Sequence, residues 1–206
     1  MTKYFSQGNE EQIIADYFGD YVGTFLDIGA NDCVTLSNTR RLALNSWAGI
    51  CIEPNKHAYD RAVINCITLD DVFVHQLAIT KTDKVCKLWC NHSHLDGNDI
   101  GLLSTTNDAE LNRWPDTQFY EIPTLGLSFK TFQRNYGFET YDFISIDAEG
   151  MDYEILKQIN LNGFKTKMIC IEWNSLPEMK DKFDNYILPF GFKLIEQNAE
   201  NVIYAK

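Results

Sequence analysis

Basic residues are scarce. Eighteen Lys and Arg stand against 29 Asp and Glu in 206 residues, a formal charge of −11. Phosphate backbones are gripped by cationic patches that release counterions. A chain of this sign, with no basic run beyond the scattered Lys81, Lys84, Lys87 and Arg113, argues against nucleic acid and against an anionic membrane surface. Long apolar runs are missing too. Nothing approaches the roughly 18 uncharged apolar residues needed to span a bilayer, and MTKYFSQGNEEQ has no apolar h-region of a secretory signal. There is no disulfide framework. Several of the six cysteines sit in apolar runs, as in GICIEP and MICIEW, and read as reduced core residues of a cytoplasmic protein. No repeat or low-complexity segment appears.

What remains is ordinary globular material, 45% hydrophobic and 23% charged, long enough for one domain with room for an insertion. Ile13, Ile14, Tyr17 and Phe18 at helical spacing, with Gly19 as a stop, predict a helix over 12–18 within an N-terminal segment of 1–20. TFLDIGAN predicts a buried strand over 24–28 and a tight turn. A helix over 37–46 is expected next, with Ser37 or Asn38 as N-cap. A strand at GICIEP, a helix over 57–65 and a third strand over 72–79 follow. The rhythm then changes. Residues 85–90 alternate like an antiparallel strand and 91–118 are polar, so 80–123 reads as an insertion or lid. Beyond it come a helix at 128–136, strand 143–146, helix 152–159, a strand ending in Glu172, helix 180–188 and a closing hairpin in GFKLIEQNAENVIYAK. Alternating strands and helices imply an α/β doubly wound, mostly parallel sheet of six or seven strands, ending in an antiparallel hairpin.

In such sheets ligands bind beyond the carboxyl ends of the strands, where strand order reverses. Four strands end in or next to an acid: Asp27, Glu53, Asp147 and Glu172. Burying carboxylates there is unfavourable without a partner. A dinucleotide needs a glycine-rich turn for its pyrophosphate. Asp27-Ile-Gly-Ala-Asn-Asp-Cys holds only Gly29, and Asp32 would aim negative charge at phosphate. S-adenosylmethionine carries a sulfonium and an ammonium and no phosphate. Gly29 would let the backbone approach it, Asp27 and Asp147 would favour the ammonium, and Glu53, 24 positions after Gly29, would accept ribose hydroxyls.

FLDIGANDCVTLSNT, GICIEP, DFISIDAEGMDYEIL and the closing NVIYAK resemble the FkbM-like family of S-adenosylmethionine-dependent methyltransferases, from about Val22 onward. The resemblance implies the Rossmann-like class I methyltransferase fold. It also implies methylation of a hydroxyl on a small molecule or glycan. On the matching positions it implies cofactor contacts at Asp27, Gly29 and Asn31, at Ser37 near the methionine carboxylate, at Glu53 on the ribose, at Ala78 beside the adenine, and at Asp147. Two departures stand out. Cys33 replaces a usual Gly, which would strain a backbone of positive φ, and Asp147-Ala148-Glu149 replaces the common Asp-Val-Glu.

An alcohol acceptor needs its proton removed. Glu149 is the first candidate base, with Asp147 and Glu172 beside it and His75, His92 and His94 as alternatives. Asp147, Glu149 and Glu172 are also the residue types that hold Mg²⁺, yet the reading assigns no metal. Cys86-x3-Cys90-x-His92-x-His94 has zinc-ligand types without zinc-ligand spacing, and reads as a strand running into a polar loop. Trp114 could stack on a ring of the acceptor. The rival readings are a cofactor-binding module without catalysis and an NAD-dependent oxidoreductase.

Overall fold

The computed structural model describes residues 4–92 and 101–206. It opens with helix α1 (Glu10–Phe18), then alternates β1 (Thr24–Ile28), α2 (Arg40–Leu44), β2 (Ala48–Ile52), α3 (Lys56–Cys66) and β3 (Val72–His75). Three strands follow: β4 (Ala78–Ile79), β5 (Lys84–Asn91) and β6 (Phe119–Leu127). The alternation resumes with α4 (Phe129–Tyr136), β7 (Phe143–Ile146), α5 (Asp152–Leu156), β8 (Met168–Glu172) and α6 (Pro177–Ile187), and closes with β9 (Lys193–Gln197) and β10 (Asn201–Ala205).

The main sheet has seven strands in the order β3-β2-β1-β7-β8-β10-β9. The first five are mutually parallel, and β10 runs antiparallel between β8 and β9. This is the α/β architecture expected from the sequence, with its antiparallel hairpin. Strand order reverses between β1 and β7, the place where such sheets bind ligands.

The central strands are buried on both faces, as crossover helices require. Alternation along each strand splits them between two cores. Leu26, Ile28, Ile50, Ile52, Ile144 and Ile146 pack with Phe132 of α4, Ile155 of α5, and Phe183 and Ile187 of α6. Phe25, Cys51, Phe143 and Cys170 pack on the other face with Ile14 and Phe18 of α1, Leu42 of α2 and Ala62 of α3. Gly49 makes room for this layer: a Cβ there would lie 2.0 Å from the Phe25 ring. Caps fix the helix starts. Asn55 accepts the N–H groups of His57 and Ala58 at α3, and Pro177 opens α6.

Helix α5 ends three residues early and α6 starts three residues early relative to the sequence expectation, and three larger differences stand out. The run 72–79 is two strands, since β3 stays in the main sheet while β4 leaves it to pair with Gly126 and Leu127 of β6. The segment 80–123 is no plain polar lid. Its β5 pairs antiparallel with β6 from Phe119 to Gly126, making a second sheet of order β4-β6-β5. Helix α2 has only five residues, because positive-φ turns at Cys33 and Leu36 delay its start. All six cysteines are free and five are buried. Among the described residues no helix is long and apolar enough to cross a membrane.

Candidate active site

Register brings the site together. Ile28 pairs with Ile52 and Ile146, and Ile146 with Ile171. The next residue along each strand forms one row: Gly29, Glu53, Asp147 and Glu172. They border a crevice of about 260 Å³. Gly29 sits at φ 87°, and a Cβ there would fall 1.6 Å from the Asp147 carbonyl oxygen. Only glycine allows the two loops to lie so close.

The loop after Gly29 carries three non-glycine residues at positive φ: Asn31 (46°), Cys33 (60°) and Leu36 (56°). Such residues cost roughly 1–3 kcal/mol each unless their surroundings hold them. Asp32 does much of the holding. Its carboxylate accepts Val34 N–H (2.9 Å), Thr35 N–H (2.6 Å) and the Thr35 hydroxyl (2.9 Å). The expectation that Asp32 would point into the ligand site is therefore corrected: its charge is spent on its own turn, and it does not line the crevice. Cys33, buried against Cys51 and Ala62, tolerates the backbone for which a Gly was anticipated.

Glu53 is buried, and both its oxygens are positioned. Oε2 accepts the Asn31 N–H at 2.9 Å and Oε1 the Asn55 N–H at 2.7 Å. Burial outweighs these bonds and pushes its carboxyl up to about 7. Asp27 accepts the Thr39 hydroxyl at 2.6 Å, and burial raises it to about 6. Ser37 borders the crevice, but its hydroxyl accepts the Arg40 N–H at 3.0 Å; the N-cap of α2, expected at Ser37 or Asn38, falls instead on Thr39, whose side chain makes no cap bond. Asn38, which the sequence did not single out as a ligand, points its amide at Ser145 and Cys170, and its Oδ1 is buried with no partner among the described residues. Ala78 lies with Leu77, Ile79, Leu88 and Leu103 in an apolar wall.

Across the crevice, Asp147, Glu149 and Glu172 each place an oxygen within 4.8 Å of the others. Glu149 stands at φ 45°. Its carbonyl accepts the Thr105 hydroxyl at 2.7 Å, and Asp152 braces its loop by accepting Ala148 N–H (2.8 Å) and Gly150 N–H (3.1 Å). Burial, then the Asp152 and Asp27 charges, lifts Asp147 to about 8. Burial, then the Asp147 charge, holds Glu149 and Glu172 well above the ordinary carboxylate range. Trp114 also borders the crevice, with the Arg113 guanidinium 5.4 Å from its ring centre.

The two described candidate histidines stand elsewhere. His75 packs on Tyr136 and Phe132, outside the crevice lining. His92 lies against Tyr120 in a separate shallow hollow with Arg113 and Trp114. His94 falls outside the described residues, so the Cys86–His94 series is only partly in view.

Residues 27–194 match the methyltransferase FkbM domain. The chain belongs to that family. Solved structures agree with it in fold. An FkbM methyltransferase from Methylobacillus flagellatus KT superposes with a TM-score of 0.59 at 12% identity, over 90% of this chain and 44% of that one. This FkbM-family chain thus spans less than half the length of that protein. A precorrin-6y C5,15-methyltransferase from Geobacter metallireducens GS-15 gives 0.53 at 11% identity, over 100% and 92% of the two chains. TrmK of M. capricolum, solved with S-adenosyl-homocysteine, gives 0.50 at 11% identity, over 98% and 68%. No curated protein matches the chain in sequence.

Proposed function

We propose that this FkbM-family chain is an S-adenosylmethionine-dependent methyltransferase acting on a hydroxyl of a small molecule or glycan. The observation that carries the reading is the Glu53 carboxylate. It is buried at the strand-order reversal and held by two backbone N–H groups, and each oxygen keeps a lone pair for a ribose hydroxyl. The donor set fits the cofactor in charge as well. The crevice is rich in carboxylates, and Asn38 adds a buried acceptor without a partner.

In this reading Gly29 and Asn31 form the floor under the methionine part, and Asp27 with Asn38 Oδ1 receives the ammonium. Ser37 and the turn before α2 face the carboxylate. Ala78 and its apolar neighbours cover the adenine. When bound, the cofactor supplies an electrophilic methyl group. The protein's part is to hold the acceptor oxygen in line with that methyl and to take its proton. Glu149 is the base of choice: it is buried and lines the crevice between the cofactor rim and the acceptor side. Asp147 and Glu172 flank it. Trp114 offers a flat apolar face to an acceptor ring. The acidic lining favours neutral or cationic acceptors over phosphorylated ones, and the free cysteines suit the cytoplasm.

Calorimetric titration of the whole chain tests this. Binding of S-adenosylmethionine and S-adenosyl-homocysteine is expected, with loss of both in Glu53→Ala and label transfer from the methyl-labelled cofactor to a hydroxylated metabolite fraction. Binding of NAD with no response to S-adenosylmethionine would refute it. Cofactor binding without transfer to any acceptor would reduce the protein to a binding module.

A further inference from the structure

We propose that Asp147, Glu149 and Glu172 hold one divalent, oxygen-preferring cation. Three independent features of the crevice lead there. The first is geometric. Their oxygens all lie within 4.8 Å of one another. An ion with metal–oxygen bonds of about 2.0–2.6 Å sets its ligands roughly 3–5 Å apart, so one ion can touch all three.

The second is the state of the side chains. Glu149 and Glu172 are each 8% exposed. Among the described residues the Oε2 atom of each is buried with no hydrogen-bond partner, a condition native structures almost always avoid, although Glu172 as a whole also bonds with Asn174 and Asp147. The trio is not a solvated acidic patch. Two of its members are sunk in protein and aimed at a third, Asp147, which stays partly exposed and leaves one side of the site open.

The third is charge. The described lining of the crevice includes Asp27, Glu53, Asp147, Glu149, Glu172 and Glu200, and no Lys, Arg or His. Arg113, whose charge reaches Glu149, is already paired with Glu110. The proposed cofactor brings a net charge of +1, and of the trio only Asp147 is among its expected contacts, so Glu149 and Glu172 keep no cation of their own. Three carboxylates thus meet with at most one cationic group of the cofactor between them.

The donor set chooses the ion. Three carboxylates with no imidazole or thiolate suit Mg²⁺, Mn²⁺ or Ca²⁺ and not Zn²⁺ or copper. Its role rests on the methyltransferase reading: it would fix the acceptor hydroxyl beside Glu149 and ease loss of its proton. Its binding does not rest on that reading.

Manganese titration of the EDTA-stripped whole chain, followed by electron paramagnetic resonance without cofactor, tests the site. One Mn²⁺ per chain should leave the free-ion spectrum and be displaced by excess Mg²⁺ or Ca²⁺. Glu149→Gln and Glu172→Gln should each weaken binding by about tenfold or more. Without metal, both variants should keep the far-UV circular dichroism spectrum and cooperative melting of the wild type, since Gln is close in size and shape to Glu; this separates lost ligation from lost fold. Equal Mn²⁺ uptake by wild type and the double variant, or no uptake below millimolar ion, overturns the proposal. Calorimetry with S-adenosylmethionine runs in parallel. Cofactor binding without a manganese site sinks this inference alone, and a manganese site without cofactor binding sinks the proposed function alone.

Discussion

Replacing Glu53 by Gln should change stability with a sign that depends on pH. The folded-state carboxyl titrates at about 7 against an ordinary 4.5. Between those values the folded chain binds more protons than the unfolded one, so stability falls as pH rises. At about 1.36 kcal/mol per unit, full ionisation costs the fold about 3 kcal/mol; most of that, about 2–3 kcal/mol, is lost between pH 5 and pH 8. Gln carries no charge and escapes this loss. It has a penalty of its own, because Asn31 N–H and Asn55 N–H both point at the side chain and an amide offers only one oxygen, leaving a buried donor at about 1–3 kcal/mol. Glu53→Gln is therefore expected to be less stable than wild type at pH 5 and equal or more stable at pH 8. For a chain of this size 1 kcal/mol moves the melting temperature by about 2–4 °C, so the gap between the two proteins should swing by roughly 5–10 °C across that range. Differential scanning calorimetry at both pH values reads it directly. A gap that does not move with pH would refute the argument that burial governs this carboxyl.

Gly29→Ala places a Cβ against the Asp147 carbonyl at a φ of 87° and should destabilise the fold by about 3 kcal/mol or more, read by urea unfolding. Asp27→Asn keeps an acceptor for the Thr39 hydroxyl but removes charge; melting should be unchanged or raised, while calorimetry shows S-adenosylmethionine affinity reduced by about tenfold or more. Asp32→Ala frees two N–H groups and the Thr35 hydroxyl; a loss of about 1–2 kcal/mol is expected, with weaker cofactor binding because Asn31 loses its fixed place.

The strands of the main sheet were legible because burial on both faces leaves unbroken apolar runs such as FISI and MICIE, each stopped by an acid. The acids at Glu53, Asp147 and Glu172 could be placed on one rim because parallel strands share a direction. Contacts that cross between loops were not legible. Nothing in Asn31 or Asn55 announces that their backbone N–H groups hold Glu53, although Asn55 after Pro54 could be read as a helix cap. Strand β6 escaped notice because Pro123 sits inside it. That proline is tolerated because β4 covers only Gly126 and Leu127, so β6 is an open edge where the N–H is missing. The break at Gln76 and Leu77 was hidden because 72–79 is continuously β-like in composition. Asp32 was misjudged because an Asp beside a ligand loop and an Asp that ties its own turn look alike in one dimension.

Strand β10 lies between β8 and β9 and runs against β8. A ribosome delivers β8 before Asn201–Ala205, so the growing polypeptide exposes a ribbon edge that is apolar from Met168 to Ile171 until that late segment slots in. Vectorial synthesis thus leaves this half of the sheet open to the wrong neighbour. Escape from aggregation during production should hinge on how fast residues 201–205 find their groove, more than on the strength of the finished fold.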